Sequence, residues 1–371
     1  MKFHLGLFFT RGVSLKTWDM VGNLDREIAL YKRIMDDMNH VTFITYGDAT
    51  DIEFSDRLGG IRILCNEQGL TLEEYESNLE HIHGQAFDSI DIIKTNQMYG
   101  AELALDIART FEKIFIARCG YMWSQNCFWE HGADSPITKE ALRVEAKVFS
   151  QADRIFVTTE AMARNVLARF PKFECKLITL PNYVDTDVFR PLNRPKEPGT
   201  LVFVGRIAPE KNLDALLEAI RPLDVRLLII GEGRLRPALQ RKYSDLGKRL
   251  VWEGGVPNSI LPEYINRAQA FILPSLYEGH PKSLIEAMAC GVPVIGCSSP
   301  GIRSIIEDGH NGFLCDTDSE SIRKTVLKVL SDEILTHKIG ERAREFVEKR
   351  FSLNILSRLE NGLLQETFLN A

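Results

Sequence analysis

The chain predicts an α/β protein built from two Rossmann-like, doubly wound domains facing a cleft. Three observations predict it. Short apolar runs of strand length alternate with helical patterns through both halves, which implies parallel sheets covered on both faces. An aperiodic stretch, Pro181 to Pro198, carries four prolines and separates two such series. A length of 371 residues is enough for two full cores. The expected division is a first domain over 1–190, a second over 191–350, and a C-terminal helix over 351–371.

In the first half, Phe3–Phe9 reads as a strand, followed by the loop Thr10 to Ser14 with Gly12. A helical stretch runs from Leu24 to Met38. Val41–Tyr46, Ile61–Leu64, Ile90–Lys94, Ile114–Ala117, Ile155–Thr158 and Leu177–Leu180 read as strands. Helical patterns near 71–83, 100–112, 137–150 and 160–169 separate them. The loop Cys119 to Gly132 crowds Tyr121, Trp123, Phe128 and Trp129 with no clear period; aromatic faces of this kind bind sugar rings, sit at a membrane interface, or pack as core.

The second half starts with the strand Leu201–Val204, then G-R-I-A-P-E-K-N and a helix from Leu213 to Ile220. Val225–Ile230, Leu250–Trp252, Phe271–Leu273 and Val292–Ile295 continue the alternation. The tail from Ser352 to Leu369 is a helix with Leu353, Leu356, Leu359, Leu363 and Leu364 apolar.

Composition bounds the class. The chain is 44% hydrophobic and 26% charged with a net charge of -6, which argues against general nucleic-acid binding. Its seven cysteines are scattered, with no C-x-x-C pair, and read as small hydrophobes in a reducing, cytoplasmic compartment. The apolar N-terminus contains His4 and reads as a strand. No run is long enough to span a membrane. The histidines have no metal-ligand spacing beyond the H-x-H of His81 and His83. Asp185-Thr186-Asp187 and Asp316-Thr317-Asp318 read as turns, the latter as a helix cap. The G-E-G at Gly231–Gly233 lacks the third glycine of a dinucleotide fingerprint, since Arg236 takes that place.

The informative stretch is Ala270 to Gly296, A-F-I-L-P-S-L-Y-E-G-H-P-K-S-L-I-E-A-M-A-C-G-V-P-V-I-G. It reads strand, loop, helix, strand. Pro281 stands where the helix begins and Gly291 where it ends. Leu284, Ala287, Met288 and Gly291 share the buried spacing, and Glu286 lies on the other side of the helix. Glu278 occupies the loop beyond the carboxyl end of a strand, where open α/β sheets bind ligands. A solvated helix residue is the plain alternative for Glu286. Arg206 ends a strand and Lys211 follows five residues later; a fork-like arginine and a point-charge lysine suit a diphosphate.

Strand, E-G-x-P turn, E-x7-E and A-M-A-C-G-V-P-V together resemble the donor-site signature of family 4 of the retaining glycosyltransferases, the glycosyl transferases group 1 with the two-domain GT-B fold. In that fold the terminal helix crosses back to the first domain. The resemblance implies that Arg206 and Lys211 hold the donor diphosphate, that Glu286 binds the ribose, and that Glu278 lies at the transferred sugar. Glu278, Arg206 and Lys211 are the expected catalytic residues. Gly279, His280, Pro281, Ser283, Leu284, Gly205 and, in the first domain, Gly12 are expected to bind donor. It further implies sugar transfer with retention, the leaving phosphate taking the acceptor proton, with no cofactor and no metal.

Departures are visible. Many members carry a histidine after the fifth N-terminal strand, where F-I-A-R-C-G-Y places Arg118 or Cys119. Ser304 stands where an acidic residue is frequent, and Asn212 where glycine is. Arg118, Tyr121 and Trp123 are expected on the acceptor or sugar side. The Y-E-G-H-P-K-S-L-I-E variant is similar to members that build surface polysaccharides. The expected substrates are a UDP- or GDP-sugar and a glycan or lipid-linked acceptor. Arg143, Lys147, Arg154, Arg164, Arg169, Lys172 and Lys176 form a candidate patch for an anionic lipid, hence a peripheral place on the inner face of the plasma membrane. The rival readings are a nucleotide-sugar epimerase of the same fold and an inactive nucleotide-sugar-binding partner.

Overall fold

A computed structural model describes residues 2–37, 40–192 and 194–370. The chain forms two compact units. One comprises Met1–Met20, Glu27–Pro181 and Leu356–Ala371; the other comprises Val21–Arg26 and Asn182–Ile355.

The first unit carries a parallel sheet of seven strands: β1 (His4–Phe8), β2 (His40–Asp48), β3 (Arg62–Asn66), β4 (Ile92–Thr95), β5 (Ile114–Cys119), β6 (Arg154–Val157) and β7 (Leu177–Thr179). Their order is β3-β2-β1-β4-β5-β6-β7. The second unit has six parallel strands: β8 (Glu197–Val204), β9 (Arg226–Ile230), β10 (Leu250–Gly254), β11 (Ala268–Leu273), β12 (Val294–Cys297) and β13 (Phe313–Cys315), in the order β10-β9-β8-β11-β12-β13. The strands are apolar runs because helices bury both faces of each sheet. Each sheet reverses its order once, between β1 and β4 and between β8 and β11. Such switch points leave a crevice beyond the strand ends.

The expected helices form at Leu72–Asp88, Ala101–Thr110, Pro136–Gln151, Glu160–Arg169 and Leu213–Ile220. The helix expected over Leu24 to Met38 runs Leu24–Asp36, and Met38 lies outside the described residues. Two segments differ in kind. Cys119 to Gly132 is not an open loop: Trp123–His131 is a helix. Its sequence lacks a helical period because it exposes Phe128 and Trp129, at 47% and 61%. The stretch to Pro198 ends two residues early, since Glu197 opens β8 and Pro198 sits at the strand start, where no ladder donor is needed. Its Asn193 lies outside the described residues.

The terminal helix, Leu353–Leu369, belongs to the first unit from Leu356 on. Its buried face takes Leu353, Leu356 and Leu364 from the leucine row, but not the whole row. Leu359 is exposed, while Glu360 and Asn361 are buried. Glu360 pairs with the wholly buried Lys94 of β4, and Asn361 donates to Asp37. Among the described residues, no helix is long and apolar enough to cross a membrane.

Candidate active site

The second unit gathers most of the expected residues at the switch point. β8 leaves its sheet through Gly205, Arg206 and Ile207, and β9 leaves through Gly231-Glu232-Gly233. These two exits lie against each other. Gly205 N donates to Ile230 O at 3.0 Å and Ile207 N to Glu232 O at 2.8 Å. A Cβ on Gly231 would stand 2.1 Å from Gly205 O, and one on Gly233 2.2 Å from Ile207 O. The glycines of G-E-G therefore serve close packing of strand exits.

Beyond Ile207 the chain makes a short 3-10 turn, Pro209–Lys211, and enters the helix Leu213–Ile220 through Asn212. Asn212 has φ 53°, a left-handed conformation that asparagine tolerates better than most residues. That is the physical reason glycine suits this position. Asn212 Nδ2 also donates to Thr317 O at 2.8 Å, which a glycine could not do.

Lys211 is thereby aimed across to β11. Its Nζ lies 2.5 Å from Glu278 Oε1, with the two side chains 16% and 10% exposed. The loop holding Glu278 is fixed from two sides. Leu276 N donates to Glu210 O at 2.8 Å. On the other side, a Cβ on Gly301 would stand 2.0 Å from Gly279 O and 2.3 Å from Glu278 O, so only glycine lets these backbones touch. Arg206 is not drawn into the pair. It is 65% exposed and its Nη2 donates to Glu210 Oε1 at 2.7 Å.

Past Glu278, His280 is buried. Its ring meets Phe351 edge-on with centroids 4.7 Å apart, and its carbonyl accepts from Asn182 Nδ2 at 2.7 Å. Pro281 caps the helix Lys282–Ala289, with Ser283 half-buried and Leu284 fully buried in its first turn. Gly291 follows with φ 67°, as a helix-ending glycine should.

Glu286 does not fit the plain alternative of a solvated helix residue. It is neither solvated nor on a polar face, because Leu284 to Ala289 are all buried and Glu286 is completely so. Its Oε1 accepts from Arg26 Nη1 at 3.1 Å and Asn258 Nδ2 at 3.0 Å. Neither partner was singled out in the sequence, Arg26 because 260 residues separate it from Glu286.

Gly12, Arg118, Tyr121 and Trp123 lie in the first unit. Gly12 has φ 74° with open space around a built Cβ, so it is there for backbone conformation. Arg118 Nη1 donates to Asn96 O at 3.2 Å. The Tyr121 carbonyl accepts from the Cys119 thiol, whose own pKa burial pushes well up. Trp123 packs on Tyr99 at 5.0 Å between centroids. The helix it opens is tethered by the buried Glu145, which accepts from Ser124 N at 2.8 Å, Ser124 Oγ at 2.7 Å and Arg169 Nη1 at 2.7 Å.

Three cations of the basic stretch are paired with carboxylates. Arg143 pairs with Glu102 and Glu140, Lys147 with Glu102 and Asp106, and Arg169 with Glu145. Lys176 donates to Ser150 and Ala152 carbonyls. The Asp185 carboxylate caps its own turn by accepting from Asp187 N at 3.0 Å. Among the described residues no group of three or more His, Cys, Asp or Glu is placed to hold a metal ion.

Residues 184–346 match the family described as Glycosyl transferases group 1. The D-inositol 3-phosphate glycosyltransferase of Thermomonospora curvata is 30% identical over 234 residues, which cover 54% of this chain and 54% of that protein. The GDP-mannose-dependent alpha-(1-6)-phosphatidylinositol monomannoside mannosyltransferase of Mycolicibacterium smegmatis is 31% identical over 237 residues, 57% of this chain and 61% of that protein. The chain spans about half the length of the curated relatives it matches. Among solved structures, sucrose-phosphate synthase from Thermosynechococcus elongatus shares the fold over 100% of both chains, with a TM-score of 0.82 at 19% identity. Residues 184–346 are thus similar to the group 1 glycosyltransferases, in a chain with the GT-B fold.

Proposed function

We propose that the chain is a retaining glycosyltransferase that moves a sugar from a UDP- or GDP-sugar to a glycan or lipid-linked acceptor, in the building of surface polysaccharide or glycoconjugate. The observation that carries this reading is the Lys211–Glu278 pair at the switch point between β8 and β11. Breaking a sugar–phosphate bond builds negative charge on the leaving diphosphate. Cations already in place lower that barrier most. Lys211 supplies a fixed charge, and Arg206 supplies a mobile fork that its exposure leaves free to swing from Glu210 onto phosphate. Glu278 orients Lys211 and faces the sugar. The bond from the anomeric carbon to phosphate breaks as the bond to the acceptor oxygen forms, and the acceptor proton passes to the leaving phosphate. No metal is needed in this scheme, since the charge falls on side chains.

Support for the acceptor side is the pair of exposed aromatics, Phe128 and Trp129, on a helix held rigid by Glu145. They offer an amphipathic contact for a lipid-bearing acceptor, and with it a peripheral place on a membrane.

The test is thermal stabilisation by UDP, GDP, ADP and their sugars, repeated with EDTA. A ligand at 100 times its dissociation constant adds about 2.7 kcal/mol. A shift with one uridine or guanosine nucleotide, unchanged by EDTA, is expected. A shift with none sinks the donor site; a shift abolished by EDTA sinks metal independence.

A further inference from the structure

Glu286 is a completely buried carboxylate, and its two oxygens are treated unequally. Oε1 accepts from both Arg26 and Asn258. Oε2 is buried and has no hydrogen-bond partner among the described residues. Native interiors seldom leave an acceptor in that state without a reason.

Arg26 comes from far away in sequence. It ends the run Val21–Arg26, which groups with Asn182–Ile355 although its flanking residues do not. The run is seated by specific contacts. Gly22 O accepts from Asn258 N at 2.8 Å. Gly22 has φ 73°, and a Cβ there would stand 2.4 Å from Val256 O, so glycine alone fits. Tyr183 donates its hydroxyl to Arg26 O at 2.6 Å. Arg26 retains 17% side-chain exposure against 1% for Glu286, so of the two it is the partner in reach of solvent.

We infer that Arg26 is a positioning residue: with Asn258 it pins Glu286 by one oxygen and leaves the other for a ligand hydroxyl, here a ribose hydroxyl of the donor nucleotide. This rests on the donor-site reading above. The unpaired oxygen is a pure acceptor already beside a cation, so it takes a neutral O–H and gains little from a second charge. A carboxylate held at one oxygen by two donors cannot turn, which converts a common glutamate into a directional acceptor. Because Arg26 fixes the other oxygen of the same carboxylate, binding of the ribose and the seating of Val21–Arg26 are linked.

The test uses the whole chain and calorimetry with UDP and GDP beside their 2′-deoxy and 3′-deoxy forms. The wild type is expected to bind one ribonucleotide about tenfold or more tighter than its deoxy form, the worth of one hydrogen bond to a charged group. Arg26→Ala should bring that ratio close to one while changing the affinity of the deoxy form less than about twofold. Its donor KM should rise about tenfold with kcat nearly kept, the mark of lost uniform binding. Arg26→Lys should restore part of the ratio, and Asn258→Ala should lower it by a smaller step. Equal weakening of both nucleotide forms would reduce Arg26 to a scaffold contact and overturn the inference. If Arg26→Ala does not fold, Arg26→Lys and Asn258→Ala decide the same ratio. A wild type that binds a nucleotide without discriminating the deoxy forms overturns this inference alone. A wild type that binds neither UDP nor GDP overturns the donor-site reading first, and this with it.

Discussion

A lysine with little access to water needs an opposite charge nearby, and Glu278 meets that need at 2.5 Å. The same contact defines what each partner does when removed. Lys211→Ala should lower turnover by about 100- to 1,000-fold, the usual effect of losing one preplaced donor to developing charge. Glu278→Gln keeps the shape but not the charge and should lose most of the rate as well. Initial rates on variants with unchanged far-ultraviolet circular dichroism check this; near-normal rates in both would refute the site. Two histidines set a second residue-level expectation. His4 and His83, both in the first unit, have pKa values lowered chiefly by burial. Their folded forms bind protons less readily than the unfolded chain, so the stability they confer is present above their ordinary value of 6.5 and is lost as pH falls through the lowered values. Urea midpoints should fall from pH 7.5 to pH 5, and His4→Gln with His83→Gln should flatten that slope. An unchanged slope would refute it. At this scale the sequence was read well where a residue's place follows from its neighbours, as for Glu278 after Pro274. At Glu286 the sequence left a solvated helix residue open as the alternative, because a mid-helix glutamate shows its burial only when the residues that cover it are known.

The elements were legible where apolar runs are continuous. Strands buried on both faces, such as Phe271 to Leu273, announce themselves; β13 spans only Phe313–Cys315 and did not. The helix Trp123–His131 was missed because its outward aromatics break the period. Phe128→Ser with Trp129→Ser should leave the melting temperature nearly unchanged, since exposed substitutions usually stay within about 0.5 kcal/mol. The same variant should lose binding to vesicles that carry a lipid-linked acceptor. Equal vesicle binding by wild type and variant would remove that role from the helix. The terminal helix shows a deeper limit of pattern reading. Leucine spacing predicts that it packs, but its register is set by Glu360 against Lys94, whose ammonium burial pushes to a lower pKa while Glu360 opposes that. Lys94→Ala alone leaves a buried charge without its partner and should cost about 3–5 kcal/mol in chemical denaturation. Lys94→Met with Glu360→Leu should recover most of that; failure to recover would mean that the pair has a role beyond burial.

The two sheets repeat one device. Each is parallel, each reverses once, and in the second unit the reversal collects Arg206 and Lys211 from the exit of β8 and Glu278 from the loop after β11. That much of the molecule could be deduced from alternation, because a parallel sheet forces strand ends with the same polarity to one edge. The identity of base, sugar and acceptor could not, since those depend on which backbone groups and distant side chains complete the edge. The Val21–Arg26 run, contributed to the second unit from the first turns of the chain, is an example.

The membership of residues 356–371 in the first unit bears on the order in which the molecule is made. Asn182–Ile355 is synthesised before Glu360, so Lys94 has its charge unmatched until the last residues are added and emerge. The half written first is therefore the half finished last, against the usual N-terminal-first habit of growing chains. Chains truncated after residue 355 and released should protect 182–355 from protease while leaving the first sheet open to cutting. Early protection of β4 in those chains would show that the first unit closes without its final helix.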